Sequence, residues 1–290
     1  MLKSIFTKSL AGIVVFSISS AIAEPLSDRI TVTVRGQGPD IVLIPGLACS
    51  SAVWDATAAR LEGRCRLHIV QVAGFAGSSP RANAQGPVVQ PTVDAIATYI
   101  RTNKLNKPKV IGHSIGGLMG MLLVVQHPED VGSLMIVDSL PFLGVLFGAK
   151  DVSAAAPQAA AFRDRIIAET QDVYAQGEEQ FIQSLVKSPA GRQQATKWAV
   201  ASDKSVVARA MYEDMTTDLR PKLREIKVPV TVLYPWDGSV PITQAAVDEI
   251  YRENYAALSN KTLVLIDGSF HFIMLDQPEL FAKQADVFLK

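Results

Sequence analysis

The sequence predicts an α/β fold in which a doubly wound, mostly parallel sheet carries an inserted helical cap. Short aliphatic and β-branched runs alternate with amphipathic stretches along most of the chain. Most of these runs are apolar on both faces, as strands of a buried parallel sheet are. A single long interval, from Asp138 to Val230, breaks the alternation because it contains helical patterns and no convincing strand. The alternation indicates the sheet with its covering helices, and the interval indicates the insertion.

Seven strands are predicted in chain order. The first, at residues 30–34, alternates apolar and polar side chains, which is typical of a strand with one exposed face. The others are continuous apolar runs at residues 40–44, 67–72, 109–112, 134–138, 230–234 and 262–267. Amphipathic stretches predict helices at residues 52–61, 92–103, 115–127, 243–257 and 278–289. Because strand, helix and strand follow in turn, right-handed crossovers should place helices on both faces of the sheet.

Residues 141–225 are predicted to form the cap, and residues 24–140 and 226–290 the core that carries the sheet. The cap opens on an apolar loop and continues in helical patterns at residues 158–175, 178–187, 191–201 and 205–216. A helical insertion between parallel strands should cover their carboxyl ends, where open α/β sheets bind ligands. A purely structural helical subdomain is the alternative.

The composition excludes several functional classes. The chain has 290 residues, 48% of them hydrophobic, which is ample for a buried core and opposite to a disordered composition. Its 28 basic and 28 acidic residues balance, so there is no strong positive field for a nucleic-acid partner. With two cysteines and four histidines, no cluster has the spacing of a zinc site. We expect no metal and no cofactor.

The two cysteines, Cys49 and Cys65, leave two alternatives open. In an exported protein they could form a disulfide, and closing a loop of about 15 residues would stabilise the fold by about 3 kcal/mol. Otherwise they are two separate buried thiols.

The N-terminus has the pattern of a secretory signal peptide at residues 1–23. Lys3 and Lys8 form a positive region, residues 10–18 are apolar, and residues 21–23 supply the small residues that a signal peptidase recognises. We expect cleavage before Glu24, an exported protein that is periplasmic or secreted, and no stable membrane insertion afterwards. A membrane anchor is the alternative, although the apolar run is short and contains serine.

The candidate nucleophile is Ser114. Residues 112–116, Gly-His-Ser-Ile-Gly, fit the G-x-S-x-G pattern of a nucleophile elbow, directly after a predicted strand and before a predicted helix. Glycine on both sides lets the backbone turn sharply and hold serine in a strained conformation. The serine oxygen then lies at a helix N-terminus, where developing negative charge is favoured.

The candidate base is His271, in the loop after the last predicted strand, because a serine hydroxyl needs a base to become a nucleophile. The other three histidines have simpler explanations. His68 lies within a strand, His113 should pack beneath the site or form a pocket wall, and His127 ends a helix before a proline.

Two aspartates could orient the base. Asp237 follows the strand at 230–234 in a sharp turn, and Asp138 ends the strand at 134–138. Either could hold His271 in the required tautomer and stabilise the imidazolium. We favour Asp237 because it completes the chain order Ser, Asp, His.

Two backbone amides should form an oxyanion hole. One is the N–H of Ile115, directly after the nucleophile. The other is the N–H of Leu47, because Gly46 frees the backbone before it; Ala48 is the runner-up. Phe142, Leu143 and Leu146 are expected to line the substrate pocket, with His113, although the apolar residues could equally pack the cap on the core.

At this point the residues resemble the α/β-hydrolase superfamily, in its esterase/lipase-like branch with a helical cap. The resemblance covers nearly the whole mature chain and rests on residues 43–47 with Trp54, 73–78, 112–117, and Asp237 and Pro241 followed by His271. Two departures occur: Pro45-Gly46 stands where members commonly have His-Gly, and the loop after Val72 lacks an aspartate that often opens it. Serine at the elbow argues against the dehalogenases and epoxide hydrolases of this fold, which carry aspartate there.

The resemblance implies a serine hydrolase that cleaves a carboxylic ester of a small or medium apolar substrate through an acyl-enzyme. A lactonase, a C–C hydrolase and an aminopeptidase remain alternatives on the same residues. An aminopeptidase needs a cap carboxylate for the substrate amine, and Glu213, Asp214 or Asp218 could supply it. A non-catalytic receptor is the alternative from another class. Oligomeric state is not predicted.

Overall fold

The structure is a computed structural model that describes residues 28–290; the predicted signal peptide at residues 1–23 lies outside the described residues. The described chain forms a seven-stranded sheet, with strands β1 (Ile30–Arg35), β2 (Asp40–Ile44), β3 (Arg66–Val72), β4 (Lys109–His113), β5 (Ser133–Val137), β6 (Val230–Trp236) and β7 (Lys261–Asp267). The strands lie in the order β1-β3-β2-β4-β5-β6-β7. Only the pair of β1 and β3 within that sheet is antiparallel. The mostly parallel sheet predicted from the sequence is confirmed.

The direction in which strands are added reverses between β2 and β4. From β2 the chain continues outward to β3 on one side, whereas β4 leads to β5, β6 and β7 on the other. Ligands of open α/β sheets bind outside the carboxyl ends of the strands at such a reversal. The loop after β2 and the Ser114 turn after β4 both lie there.

The helices occur where the amphipathic stretches predict them outside the inserted interval. In chain order the described helices are α1 (Asp55–Leu61), α2 (Val89–Thr102), α3 (Ile115–Gln126), α4 (Val152–Ala168), α5 (Gln171–Leu185), α6 (Pro189–Ala201), α7 (Lys204–Thr216), α8 (Gln244–Asn254), α9 (Ile273–Asp276) and α10 (Pro278–Phe288). Almost every residue of α3 is buried, since this helix packs against β4, β5 and α2.

Helices α4 to α7 lie in the interval between β5 and β6. The sequence predicts one helix over residues 158–175, but the chain breaks there into α4 and α5. The break occurs because Thr170 adopts an extended conformation and its hydroxyl accepts a hydrogen bond from the Val173 amide, at 3.3 Å. Threonine at such a position starts a new helix.

Helix α7 connects the inserted helices to loops of the sheet by hydrogen bonds and close packing. The Glu213 carboxylate accepts hydrogen bonds from the amides of Val88 and Val89, at 2.7 and 2.9 Å, at the start of α2. Val206 packs so closely on Gly74 that a Cβ there would lie 2.8 Å from the valine. The inserted helices therefore sit over the carboxyl ends of the strands.

Cys49 and Cys65 are separate, buried free thiols, so the disulfide alternative does not describe this structure. Burial raises the pKa of the Cys49 thiol to about 12. Across residues 28–290, no helix is both long enough and apolar enough to cross a bilayer.

Gly116→Ala should destabilise the fold by about 1–3 kcal/mol, a usual cost of overpacking. A Cβ at this position would lie 2.5 Å from the carbonyl oxygen of Ile44 and 2.6 Å from that of Pro45. Denaturant unfolding would measure the loss. Gly63→Ala is the matched control, because a Cβ there meets open space, and it should change stability by less than about 0.5 kcal/mol. Equal effects of the two substitutions would contradict the close approach.

Candidate active site

Ser114 forms a strained turn between β4 and α3. Its φ of 55° and ψ of −127° are unusual for a residue with a side chain. The Ser114 amide donates to the carbonyl of Val137 at 2.9 Å, and α3 begins at the next residue, Ile115. Glycine at 112 and 116 permits the turn, because a Cβ on either would collide with backbone atoms. The predicted nucleophile elbow has the geometry that its sequence pattern requires.

The sheet register places Asp138 beside Ser114. His113 of β4 pairs with Val137 of β5, so the next residue of each strand leaves the sheet at the same level. Asp138 also has a positive φ, of 47°, and its amide donates to the carbonyl of Leu233 at 2.8 Å. Two strained residues thus stand side by side at the strand ends.

His271 is hydrogen-bonded to Asp138. The Nδ1 atom of His271 lies 2.6 Å from Oδ2 of Asp138, and the tyrosine hydroxyl of Tyr251 donates to the other carboxylate oxygen. Tyr251 is buried and stacks on Tyr234, with ring centroids 4.4 Å apart. Burial, then the Asp138 charge, raises the pKa of Tyr251 well above its usual value, so it stays a donor. The carboxylate is therefore held on both oxygens.

The prediction that places Asp237 against His271 is wrong. One Asp237 oxygen accepts from the Lys187 ammonium at 2.5 Å, and the other accepts from the Ser239 amide at 2.9 Å. The Lys187 and Ser239 hydrogen bonds lower the pKa of Asp237 to about 2.

The physical reason is the length of β6. The Asp138 amide donates to the carbonyl of Leu233, so Asp138 lies at the level of that residue of β6. Strand β6 continues to Trp236, and Asp237 follows it. At a rise of about 3.3 Å per residue, Asp237 starts roughly 10 Å farther along the strand direction than the level of Asp138.

His113 supports the His271 loop from below. Its Nε2–H donates to the backbone carbonyl of His271 at 3.1 Å, and the two rings lie 4.6 Å apart. Burial, then the neighbouring His271, lowers the pKa of His113 well below its ordinary value, so the ring is neutral. On the other side of that loop, the Phe270 amide donates to Asp276 at 3.0 Å. His113 also borders the cavity described below, as predicted.

The loop after β2 is a tight turn over residues 46–49. The Cys49 amide donates to the Gly46 carbonyl at 3.2 Å, and Ala48 has a φ of 56°. The hydroxyl of Ser202, from the inserted helices, donates to the Ala48 carbonyl at 3.3 Å. Leu47 borders the same cavity as Ser114. Since the first amides of a helix have no partner within it, the Ile115 amide at the start of α3 is free to serve an oxygen at this place.

A cavity of about 280 Å³ joins these groups. Ser114, Asp138 and His271 border it, and most of the remaining wall is apolar side chain from the inserted helices. Leu143 and Leu146 line it as predicted, and Leu146 is 57% exposed at its mouth.

Phe142 does not line the cavity, which corrects the prediction. It is fully buried and forms a small separate core with Ala149 and Ala155. The guanidinium of Arg220 lies over its ring, 4.5 Å from the centroid. The reason is that residues 143–147 form a 3₁₀ helix, which turns Phe142 and Leu146 to different sides.

Two carboxyl groups also border the cavity. The sequence offers three carboxylates that could bind a substrate amine. Glu213 caps α2 and Asp218 pairs with Arg220. Asp214 borders the cavity and is only 7% exposed. Glu178 of α5 borders it too, and sequence reasoning missed it. Burial raises the pKa of each carboxyl to about 7. Helical spacing could have identified Glu178 in the sequence, because it lies four residues from both Tyr174 and Ile182, the buried residues of α5.

One group within residues 28–290 has the ligand spacing of a metal site: His127, Glu129 and Asp130, with ligand atoms within 4.8 Å. The guanidinium of Arg101 lies 3.0 Å from Asp130 and 3.4 Å from Nδ1 of His127. A positive charge therefore already occupies this surface cluster.

The fold and the site define a hydrolase of the α/β class. A sequence model of the alpha/beta hydrolase family matches residues 41–284, and the chain belongs to that family. A pimeloyl-[acyl-carrier protein] methyl ester esterase of Vibrio atlanticus (strain LGP32) is 31% identical over 270 residues, covering 89% of this chain and 97% of the relative. The protein of the same description from Vibrio cholerae serotype O1 is 27% identical, over 87% and 94% of the two chains.

Solved structures share the fold at low sequence identity. The enol-lactonase from Burkholderia xenovorans LB400 superposes with a TM-score of 0.72 at 19% identity, covering 90% of this chain and 96% of its own. An esterase from Exiguobacterium antarcticum superposes with a TM-score of 0.73 at 18% identity, over 89% and 94% of the two chains.

The free energy of unfolding of Asp214→Asn, relative to that of the wild type, should increase as pH rises from 4 to 8. The unfolded Asp214 ionises at about pH 3.9, whereas the native carboxyl keeps its proton up to about pH 7. Between these values unfolding releases a proton, so the wild type loses stability with rising pH and the amide variant does not. Thermal unfolding of both proteins across this range would measure the difference. Glu179→Gln, an exposed change on α5, is the control; a pH-independent difference for Asp214→Asn would contradict the assignment.

Proposed function

We propose that this protein is a serine esterase that cleaves carboxylic esters of small or medium substrates with an apolar part, through an acyl-enzyme. The observation that carries the proposal is the convergence of Ser114, His271 and Asp138 at one cavity, with His271 hydrogen-bonded to Asp138 at 2.6 Å. Relatives described as methyl ester esterases over nearly the full chain support an ester as the substrate.

Asp138 is the orienting acid in this mechanism. Its bond to Nδ1 of His271 keeps the proton on Nδ1 and leaves Nε2 as the base. Ser114 Oγ attacks the ester carbonyl carbon while Nε2 takes the hydroxyl proton. The carboxylate stabilises the imidazolium that results, and the Tyr251 hydroxyl keeps the carboxylate oriented.

The amides of Ile115 and Leu47 form the oxyanion hole. Both lie where the strand order reverses, one at the start of α3 and one in the turn over residues 46–49. When the tetrahedral intermediate collapses, His271 protonates the leaving alkoxide and the alcohol departs. Water then attacks the acyl-enzyme with His271 as base, which releases the carboxylic acid and restores Ser114. Fixed donors of this kind are typically worth about 10²–10³ in rate each.

We also propose that residues 1–23 are a cleaved signal peptide and that the protein works outside the cytoplasm. The support is the sequence pattern of positive region, apolar region and small residues before Glu24.

The first test is hydrolysis of p-nitrophenyl butyrate and octanoate by the protein lacking residues 1–23. Ser114→Ala should lower kcat by at least about 10³, since the nucleophile is lost and only binding and oxyanion stabilisation remain. Circular dichroism would confirm that the variant is folded. Unchanged turnover in Ser114→Ala would overturn the proposal, and a folded wild type without turnover would redirect the search to lactones or C–C bonds.

Asp138→Asn should lower kcat/KM for these esters by about 10³–10⁴, because His271 would then hold the wrong tautomer. Asp237→Asn is the matched control and should lower it by less than about tenfold, since Asp237 binds Lys187 and Ser239 instead. Steady-state kinetics of both variants decide the matter. The opposite ranking would return the acid role to Asp237.

Expression of the full chain in a Gram-negative host, followed by osmotic shock and mass spectrometry, tests export. We expect a released protein that begins at Glu24. A full-length mass in the membrane fraction would indicate an uncleaved anchor.

A further inference from the structure

Asp214 is a buried carboxyl that forms no hydrogen bond or ion pair within the described residues. It lies on α7, is 7% exposed, and borders the cavity that contains Ser114. Its neighbours on the chain are satisfied, Glu213 by the amides of α2 and Asp218 by Arg220. Within residues 28–290 no hydrogen bond or ion pair engages the Asp214 carboxyl, and the charge that acts on it is that of His271. A carboxyl that borders a cavity and forms no such bond is available to accept one from a ligand.

Glu178 of α5, on another wall of the cavity, also forms no hydrogen bond or ion pair within the described residues. Burial, then the like charge of Glu169, raises its pKa to about 7. Among the described residues that border the cavity, none is a lysine or arginine. Asp138 differs from these two carboxyls because His271 and Tyr251 hold it. Among the described residues that border it, the cavity therefore has three carboxyl groups against the two histidines, His113 and His271.

We propose that the cavity binds esters that carry an ammonium group, with Asp214 as the acceptor for that group and Glu178 as a second acceptor. The inference rests on the proposed esterase function and names the class of its substrate. A primary ammonium would donate a charge-assisted hydrogen bond to the carboxylate, which is stronger than a bond between neutral groups. A quaternary ammonium, which has no N–H, would balance the charge alone.

The rest of the wall suits an alkylammonium. Phe147, Phe162, Phe181 and Phe272 border the cavity, and aromatic faces attract cations as well as alkyl chains. Burial raises the pKa of Asp214 to about 7, because it disfavours the charged form of the carboxyl. A bound cation would stabilise that charged form. A neutral hydroxyl would satisfy hydrogen bonding and leave the charge unbalanced.

The kinetic test compares esters that differ only in the charge. One pair varies the acyl part, p-nitrophenyl 6-aminohexanoate against p-nitrophenyl heptanoate. The other varies the alcohol, choline butyrate against 3,3-dimethylbutyl butyrate. At pH 8 we expect kcat/KM for the cationic member to exceed that of its neutral partner by at least about tenfold in one pair. Equal or lower values for the cationic member in both pairs would overturn the inference while leaving an esterase.

Substitutions assign the preference to the carboxyls. Asp214→Asn should bring the ratio of the favoured pair to about 1, and Glu178→Gln should lower it. Glu179→Gln is the matched control, because Glu179 is the exposed neighbour of Glu178, and it should keep the wild-type ratio. A ratio that survives both Asp214→Asn and Glu178→Gln would overturn the assignment. If Asp214 served only the imidazolium of His271, Asp214→Asn would slow both members of each pair alike and leave the ratio unchanged.

A binding measurement separates this inference from the proposed catalysis. Isothermal titration calorimetry on Ser114→Ala, which cannot turn over, would compare hexylammonium with 1-hexanol. We expect hexylammonium to bind at least about tenfold more tightly and to lose that advantage in Ser114→Ala/Asp214→Asn. This result would support the site even if no ester were hydrolysed. Equal affinity for the two ligands would overturn it even if esters were hydrolysed.

Discussion

The parallel register between β4 and β5 is the constraint on which the active site depends. Because His113 pairs with Val137, Ser114 and Asp138 leave the sheet side by side, and hydrogen bonds to the neighbouring strand hold both amides. Each residue has a positive φ, which is costly and persists only where the surrounding structure enforces it. A shift of one residue would move the carboxylate by about 3.3 Å and reverse the faces of β5. The buried sheet therefore holds Ser114 and Asp138, the proposed nucleophile and acid, in place before any substrate binds.

His271, the proposed base, is held by a different set of contacts, from both the core and the inserted helices. The His113 ring supports the His271 carbonyl from below, and Asp276 receives the Phe270 amide. Asp276 also accepts the amides of Lys187 and Ser188, just after α5. The Asp276 carboxylate thus connects the loop that carries His271 to the inserted helices that line the cavity. The inserted helices and the His271 loop are therefore held by the same residue, Asp276.

Two aspartates at neighbouring strand ends have different environments and so different uses. Asp138 lies among Tyr251, His271 and buried sheet residues, where its hydrogen bonds orient the imidazole. Asp237 lies beyond the end of β6 and forms an ion pair with Lys187, which joins the strand end to the inserted helices. The chain order Ser, Asp, His holds for either residue, so the order alone does not decide between them.

The sequence by itself determined the sheet, its flanking helices, the nucleophile elbow and the histidine after the last strand, because strand runs, helical periodicity and glycine requirements are local properties. Tertiary structure alone decided which aspartate meets His271, since that depends on how far β6 extends past its neighbour. It also decided that Phe142 packs in a separate core and that Asp214 and Glu178 border the cavity. Helical spacing is consistent with Glu178 on the buried face of α5, but only the packing of α5 and α7 over the strand ends places that face against the site. Such contacts join residues far apart in the chain, and no local pattern encodes their distances.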